Sequence, residues 1–185
     1  MKLAPLAFAL MLGSALAGAG VDRSQIVARF DSSTREVWLY APKLSDRDQA
    51  DALRRAIVES GVVVTLLLAP PSVQRVCDPG ATRCRQASSD RDSYAYSLAL
   101  AGARLFEARV PNNPVGFALV DRRSGLEGVG VGMFTGAAIP AKELSPERAR
   151  TLHRWFLETL GDRRRSKAVP QTEILARLAA QSRAR

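Results

Sequence analysis

Residues 111–135, PNNPVGFALVDRRSGLEGVGVGMFT, decide how the chain folds. Val115 to Asp121 is an apolar run that ends on an acid. Arg122 to Gly125 is a polar turn, and in Glu127 to Phe134 glycines alternate with Val129, Val131 and Met133. Two apolar strands joined by so short a polar loop predict a hairpin at the centre of a sheet. An acid at the mouth of a buried strand, followed by a glycine-rich strand, is an arrangement that phosphate sites use. Yet the stretch holds no His, Lys, Cys or Ser placed to act as a nucleophile.

Upstream, strand and helix patterns alternate. Ser24 to Phe30 is weakly patterned, helix or strand. Glu36 to Ala41 (EVWLYA) reads as a strand stopped by Pro42. Ser45 is the expected N-cap of a helix with Asp46 and Asp48 in its first turn. Ala50, Leu53, Ala56 and Ile57 form its apolar face, and Gly61 ends it. Val62 to Ala69 (VVVTLLLA) is continuously apolar, as a strand covered on both faces requires. Ser88 or Ser89 opens a second helix running to Gly102, and Arg104 to Val110 is a further strand. Downstream, Ser145-Pro146-Glu147 starts a helix with the apolar stripe Leu152, Trp155, Phe156 and Leu160. A basic linker over 162–167 and a short helix from Thr172 to Ala180 follow. The order predicts an α/β sandwich with a mixed, mainly parallel sheet and helices on both faces.

The N-terminus reads as an export signal. Lys2 precedes an apolar run from Leu3 to Leu16, and Ala15-Leu16-Ala17 fits small-residue cleavage after Ala17. Residues 1–17 are therefore expected to be removed and the protein to be periplasmic or secreted. No later stretch has transmembrane length. The two cysteines, Cys77 and Cys84, flank the turn-forming spacer DPGATR. In an oxidising compartment they are expected to form a structural disulfide. Two Cys and the single His are too few for a structural metal site, so neither metal nor cofactor is expected.

Charge is unevenly placed. The chain carries a formal net charge of +9. From Arg148 to Arg185, ten Lys and Arg face only Glu158, Asp162 and Glu173, so most of the excess sits at the C-terminal end. Residues 18–161 are expected to form the domain and 162–185 a basic extension. The anion-binding candidates are Arg109, Arg122, Arg123, Arg163, Arg164, Arg165 and Lys167. A basic end of this kind suits nucleic acid or an anionic membrane surface.

The order of pieces resembles the phospholipase D superfamily. DSSTREVWLYAPKLSDRDQADALRRAIVESGVVVTLLLA (31–69) looks like the first half of such a domain, and Tyr96 to Val110 stands where the family has a helix, a glycine and a strand. The family signature His-x-Lys-(x)4-Asp, followed by Gly-Ser-x-Asn, falls on Pro114, Gly116, Asp121, Gly130 and Met133. The likeness is to the small secreted single-motif nucleases, which pair two chains around one active site, and so implies a homodimer. The family's His attacks phosphorus, its Lys and Asn neutralise phosphoryl oxygens, and its Asp orients the His. Here only Asp121 and Gly130 match. Pro, Gly and Met supply neither nucleophile nor oxyanion donor, and a homodimer repeats the same gaps.

His153, the single histidine, lies on a helix beside Arg154 and Trp155, where a surface or boundary role is expected rather than a nucleophilic one. The glycines at 128–132 open no helix and so are no dinucleotide fingerprint. The resemblance thus implies an exported phospholipase D-like domain without phosphodiesterase activity, binding phosphate-bearing ligands or acting as a scaffold. The alternative is an active phosphodiesterase, on nucleic acid or phospholipid, with a rearranged site.

Overall fold

The structure, a computed structural model, describes residues 20–41, 44–68, 73–76, 85–88, 93–109, 116–122, 124–128, 134 and 141–183. The expected signal peptide, Cys77, Cys84, Pro114, Arg123, Gly130 and Met133 lie outside the described residues. No helix among the described residues is long and apolar enough to cross a membrane.

Helix α1 (Arg23–Asp31) settles the weakly patterned start as helix, because Asp22 and Gln25 close a reciprocal capping box at its N-terminus. Strand β1 (Glu36–Ala41) follows, with Val37, Leu39 and Ala41 packed to one side and Trp38 and Tyr40 to the other. Helix α2 (Arg47–Ser60) is capped by Asp46 rather than the expected Ser45. The Asp46 carboxylate accepts from Gln49 N at 3.1 Å and also clasps Arg23, which ties α2 to α1. Gly61 ends α2 in the left-handed region, at φ 66°.

Strand β2 (Val63–Leu68) pairs parallel with β1. A separate two-stranded hairpin, β3 (Val73–Val76) and β4 (Arg85–Ser88), follows. Ser88 is therefore a strand residue, and helix α3 is described over Ser93–Leu100, the expected start at Ser89 lying outside the described residues. Strand β5 (Arg104–Ala108) pairs parallel with β2.

The central hairpin forms, but its second strand begins earlier than expected. Strands β6 (Phe117–Val120) and β7 (Ser124–Gly128) pair antiparallel with Val120 opposite Ser124. Asp121 and Arg122 both take positive φ, 52° and 58°, so the chain reverses one residue earlier than expected and Gly125 enters the strand. Gly125 is needed there: a Cβ would come within 2.5 Å of Leu144 and 2.8 Å of Leu119. Strand β8 (Ala141–Glu143) then leads to helix α4 (Pro146–Gly161), with Ser145 as N-cap and Pro146 at its start, as expected.

The C-terminal stretch is not an appendage. Arg163 to Arg165 form a turn, and Ser166–Ala168 is strand β9, paired antiparallel with β5 at the sheet edge. Helix α5 (Gln171–Arg183) buries Ile174 in the core. The expected basic linker is thus part of the sheet. Its backbone had a partner that no local sequence pattern announces.

The seven-stranded sheet runs β8-β7-β6-β1-β2-β5-β9. Only β1–β2 and β2–β5 are parallel, and the other four pairings are antiparallel. The mixed α/β sandwich is as expected, while "mainly parallel" holds only for the three central strands. Two hairpin returns (β6–β7, β7–β8) and the returning β9 supply the antiparallel remainder. Helices do cover both faces. Residues of α1, α2, α3 and α5 join one apolar cluster with Leu39 and Leu66, and α4 packs Leu152 and Phe156 against Trp38, Tyr40, Leu67 and Phe117 on the other.

Candidate functional site

Strand direction fixes where the motif positions lie. Phe117 at the start of β6 sits opposite Tyr40 near the end of β1, so Gly116 lies at the carboxyl ends of β1, β2 and β5. Open α/β sheets hold ligands in the crevice beyond those ends. At this position a Cβ would meet the Phe134 ring at 2.9 and 3.1 Å and the Tyr40 carbonyl oxygen at 3.3 Å. Phe134 is 1% exposed and shares its cluster with Ala41 and Leu44. Its carbonyl accepts from Ser45 N at 2.8 Å and Asp46 N at 3.0 Å, which pins the ring in place. The space that a side chain at 116 needs is occupied by a phenyl ring. Sequence reasoning passed over Phe134 because residues 116 and 134 are far apart in sequence and their contact has no periodic signal.

Asp121, the motif acid, is at the other end of β6. Five residues of strand separate it from Gly116, about 16 Å at ordinary rise. Its carboxylate accepts from Thr34 N (3.0 Å), Thr34 Oγ1 (3.1 Å), Arg35 N (2.8 Å) and Glu36 N (3.0 Å). Burial alone would raise this carboxyl's pKa, but the hydrogen bonds from Glu36, Thr34 and Arg35 together hold it below the usual range. Asp121 joins the turn of the central hairpin to the loop before β1. It is not beside Gly116, and the groups it binds are the backbone and hydroxyl of the loop before β1.

Around that same turn the charges are paired. Arg122 binds Glu36, and its guanidinium lies 5.8 Å from the Trp38 ring centroid. Trp38 Nε1 donates to Glu36 at 3.2 Å. His153 stacks on Trp38 with centroids 4.4 Å apart and planes 13° apart, and its buried Nε2 has no hydrogen-bond partner among the described residues. Burial, then the nearby Arg122 charge, lowers the His153 pKa, with Glu36 opposing. The expected boundary role of His153 is what this packing describes. Arg122 is spent on Glu36 and lies far from Gly116.

The remaining anion-binding candidates divide. Arg109 follows β5 directly, and its N donates to the Arg165 carbonyl at 2.7 Å, so the turn before β9 is fixed beside the end of β5. Asp162 closes that turn by accepting from Arg164 N at 2.8 Å. Arg109, Arg163 and Arg164 are exposed and Arg165 half-buried, with no ion-pair partner among the described residues. Lys167 is instead held by Glu173 at 2.8 Å.

Arg177, a residue sequence reasoning missed, binds Glu107 on β5, Tyr96 at 3.0 Å and Glu173 at 2.6 Å. The Glu107 bond, opposed by burial and reinforced by Tyr96 and Glu173, raises its pKa. Lys167 and then Arg177 lower that of Glu173. This network clamps α5 and β9 onto β5 and so holds the arginine turn. Only the amphipathic pattern of α5 hinted that its inner side had a partner. Among the described residues no group of three or more His, Cys, Asp or Glu converges as metal ligands do.

A mixed sheet with three central parallel strands, a returning hairpin and helices on both faces is the fold of the phospholipase D superfamily. The chain is similar in structure to a phospholipase D family member, Nuc from Salmonella typhimurium, with a TM-score of 0.56 and 16% identity over 80% of this chain and 90% of that one. It is also similar to NucT from Helicobacter pylori, with a TM-score of 0.50 and 12% identity over 75% of this chain and 86% of that one. A polyphosphate kinase from Porphyromonas gingivalis gives a TM-score of 0.51 and 12% identity over 81% of this chain, but only 22% of that protein is covered. No protein-family model matches the sequence, and no curated protein matches it.

Proposed function

We propose that this chain is an exported phospholipase D-like protein that has lost phosphodiesterase chemistry and binds phosphate-bearing ligands at the carboxyl ends of its central strands. One observation carries the reading: Phe134 fills the motif-lysine position while Arg109 and Arg163–Arg165, with no carboxylate partner among the described residues, gather at the same end of the sheet. An apolar plug cannot hold an oxyanion, and the sequence puts proline where the family has its nucleophile. Fixed, unpaired arginines keep the capacity to neutralise phosphate. A homodimer would double the arginine turn without restoring a missing group.

The test uses mature protein. Binding to a labelled single-stranded oligonucleotide is expected at low salt, with log K falling by about 0.7 per log unit of salt for each phosphate neutralised. Replacing Arg109, Arg163, Arg164 and Arg165 by Ala should flatten that slope by up to about 3. No cleavage of supercoiled DNA, a chromogenic phosphodiester or phosphatidylcholine is expected. Turnover with a phosphohistidine intermediate would instead establish the alternative, an active enzyme with a rearranged site.

A further inference from the structure

A second group of cations lies outside every position that the motif marks. Glu127, on β7 opposite Lys142 on β8, is only 5% exposed. Its Oε1 accepts from Arg148 Nη2 at 2.6 Å, and its Oε2 lies 3.5 Å from Lys142 Nζ. Both cations are about half exposed, 46% and 57% by side chain, so their outer sides face solvent. One buried carboxylate thus positions two cations and leaves an excess positive charge. Glu127 pairs with Phe117 across the sheet, which puts this group at the same end as Gly116.

Helix α4 connects the two cationic centres. Arg148 is in its first turn, and the arginine turn follows its last residue. Arg148, Trp155 and Asp162 repeat every seventh position and therefore lie on one side of the helix. From Arg148 to Asp162 the helix rises about 21 Å. Trp155 stands midway, half-buried, edge-on to Tyr40 at 5.3 Å and to Phe117 at 5.8 Å. Glu147 and Glu158 are exposed acids of the same helix, offset on its outer side by exposed Arg150 and Arg154. A single phosphate can occupy one centre but cannot reach both.

We propose that Lys142 and Arg148, anchored on Glu127, form a second anion-binding centre, and that one extended single-stranded phosphodiester chain runs along α4 from this centre past Trp155 to the turn of Arg109 and Arg163–Arg165. The inference rests on the binding function above and adds a length requirement to it. Trp155 offers a face or edge to a base between the two grips, as aromatic platforms do in single-strand grooves. A flat anionic vesicle would meet the outer ridge of α4, where Glu147 and Glu158 offset Arg150 and Arg154, rather than both grips.

Anisotropy titrations with oligothymidines of about three and about ten residues test this, the longer exceeding and the shorter falling short of the span of α4. The ten-mer should bind at least tenfold more tightly, with inorganic phosphate a weak competitor. Lys142→Met should remove most of that advantage and lower the ten-mer salt slope by about 0.7. Glu127→Gln frees both cations from their carboxylate and should tighten ten-mer binding severalfold, an outcome that a merely structural Glu127 does not produce. Trp155→Leu should weaken the base-bearing ten-mer more than an abasic one. If binding is independent of length and unchanged by Lys142→Met and Glu127→Gln, yet is lost with the four arginines, the second centre is wrong and the binding function stands. Equal binding to anionic vesicles that is likewise insensitive to these variants also overturns the strand. If wild-type protein binds no oligonucleotide at low salt, both readings fall.

Discussion

The two ends of strand β6 are held by opposite means. At the Asp121 end a carboxylate is fully engaged by the backbone of Thr34, Arg35 and Glu36, with Arg122 on Glu36 beside it. At the Gly116 end the missing side chain leaves room for the Phe134 ring. One end is fixed by charge and hydrogen bonds, and the other by apolar packing. The lesson is that an acid at the end of a buried strand can serve the fold, since the hairpin turn uses the Asp121 carboxylate about 16 Å from Gly116.

The strongest way to break this comparison is Asp121→Ala. It orphans three backbone donors and puts a β-carbon without a polar partner at φ 52°. Unfolding in urea should show a loss of about 3 kcal/mol. Oligonucleotide affinity of the folded fraction should not change. A variant with full stability and lost binding would return Asp121 to the site.

The Gly116 end is next. Gly116→Ala forces the new methyl into the Phe134 ring and should cost about 2 kcal/mol. The smaller ring space left by Phe134→Leu should absorb most of that penalty, so the double variant should be more stable than the two single losses predict. Strict additivity in that cycle would mean that the two side chains do not compete for one space.

How much of this was legible in sequence differs between the same two ends. EVWLYA, VVVTLLLA and the Ser-Pro-Glu helix start announced β1, β2 and α4, because burial and capping are written locally. The order of strand, helix and hairpin was legible too, and the fold it gives is similar to that of Nuc at 16% identity. What was not legible depends on contacts distant in sequence. Asp121 bonds residues some 85 positions away, Phe134 packs on a Gly116 distant in sequence, and β9 finds β5 through backbone groups alone. For the same reason the basic end, read as an extension outside the domain, turns out to hold a fixed turn beside Arg109. Lys142 and Arg148 had no sequence signal, because Glu127 joins them only through sheet register.

The hairpin of β3 and β4 allows a third test, independent of either end. Val76 lies opposite Arg85, so the residues flanking the loop from Cys77 to Cys84 are already held together by strand pairing. Protein recovered from an oxidising compartment should show no thiol alkylation without reductant. Reduction should cost about 2 kcal/mol, the loop-closure value for so short a ring. Two alkylated cysteines would remove the disulfide from the proposal.

The smallest expected effect sharpens the contrast at the Asp121 end, where His153 lies against Trp38 with Arg122 and Glu36 as its charged neighbours. Burial and then Arg122 hold its pKa below the ordinary imidazole value of about 6.5, with Glu36 partly offsetting them. The unfolded chain therefore binds a proton more readily than the folded one. His153 contributes its stability above pH 6.5, and that contribution should fade as pH falls from 6.5 towards the lowered folded value. His153→Phe keeps a ring on Trp38 without a titrating nitrogen, so the variant should lose the sloping part of the stability curve in that window. Arg122→Gln should shrink the slope by removing one cause of the shift, while Glu36→Gln should steepen it by removing the opposing charge. Urea midpoints measured every half pH unit separate these outcomes. A wild-type curve as flat as that of His153→Phe would mean that the imidazole meets the same solvation folded and unfolded, and that the paired charges around Trp38 leave it unperturbed.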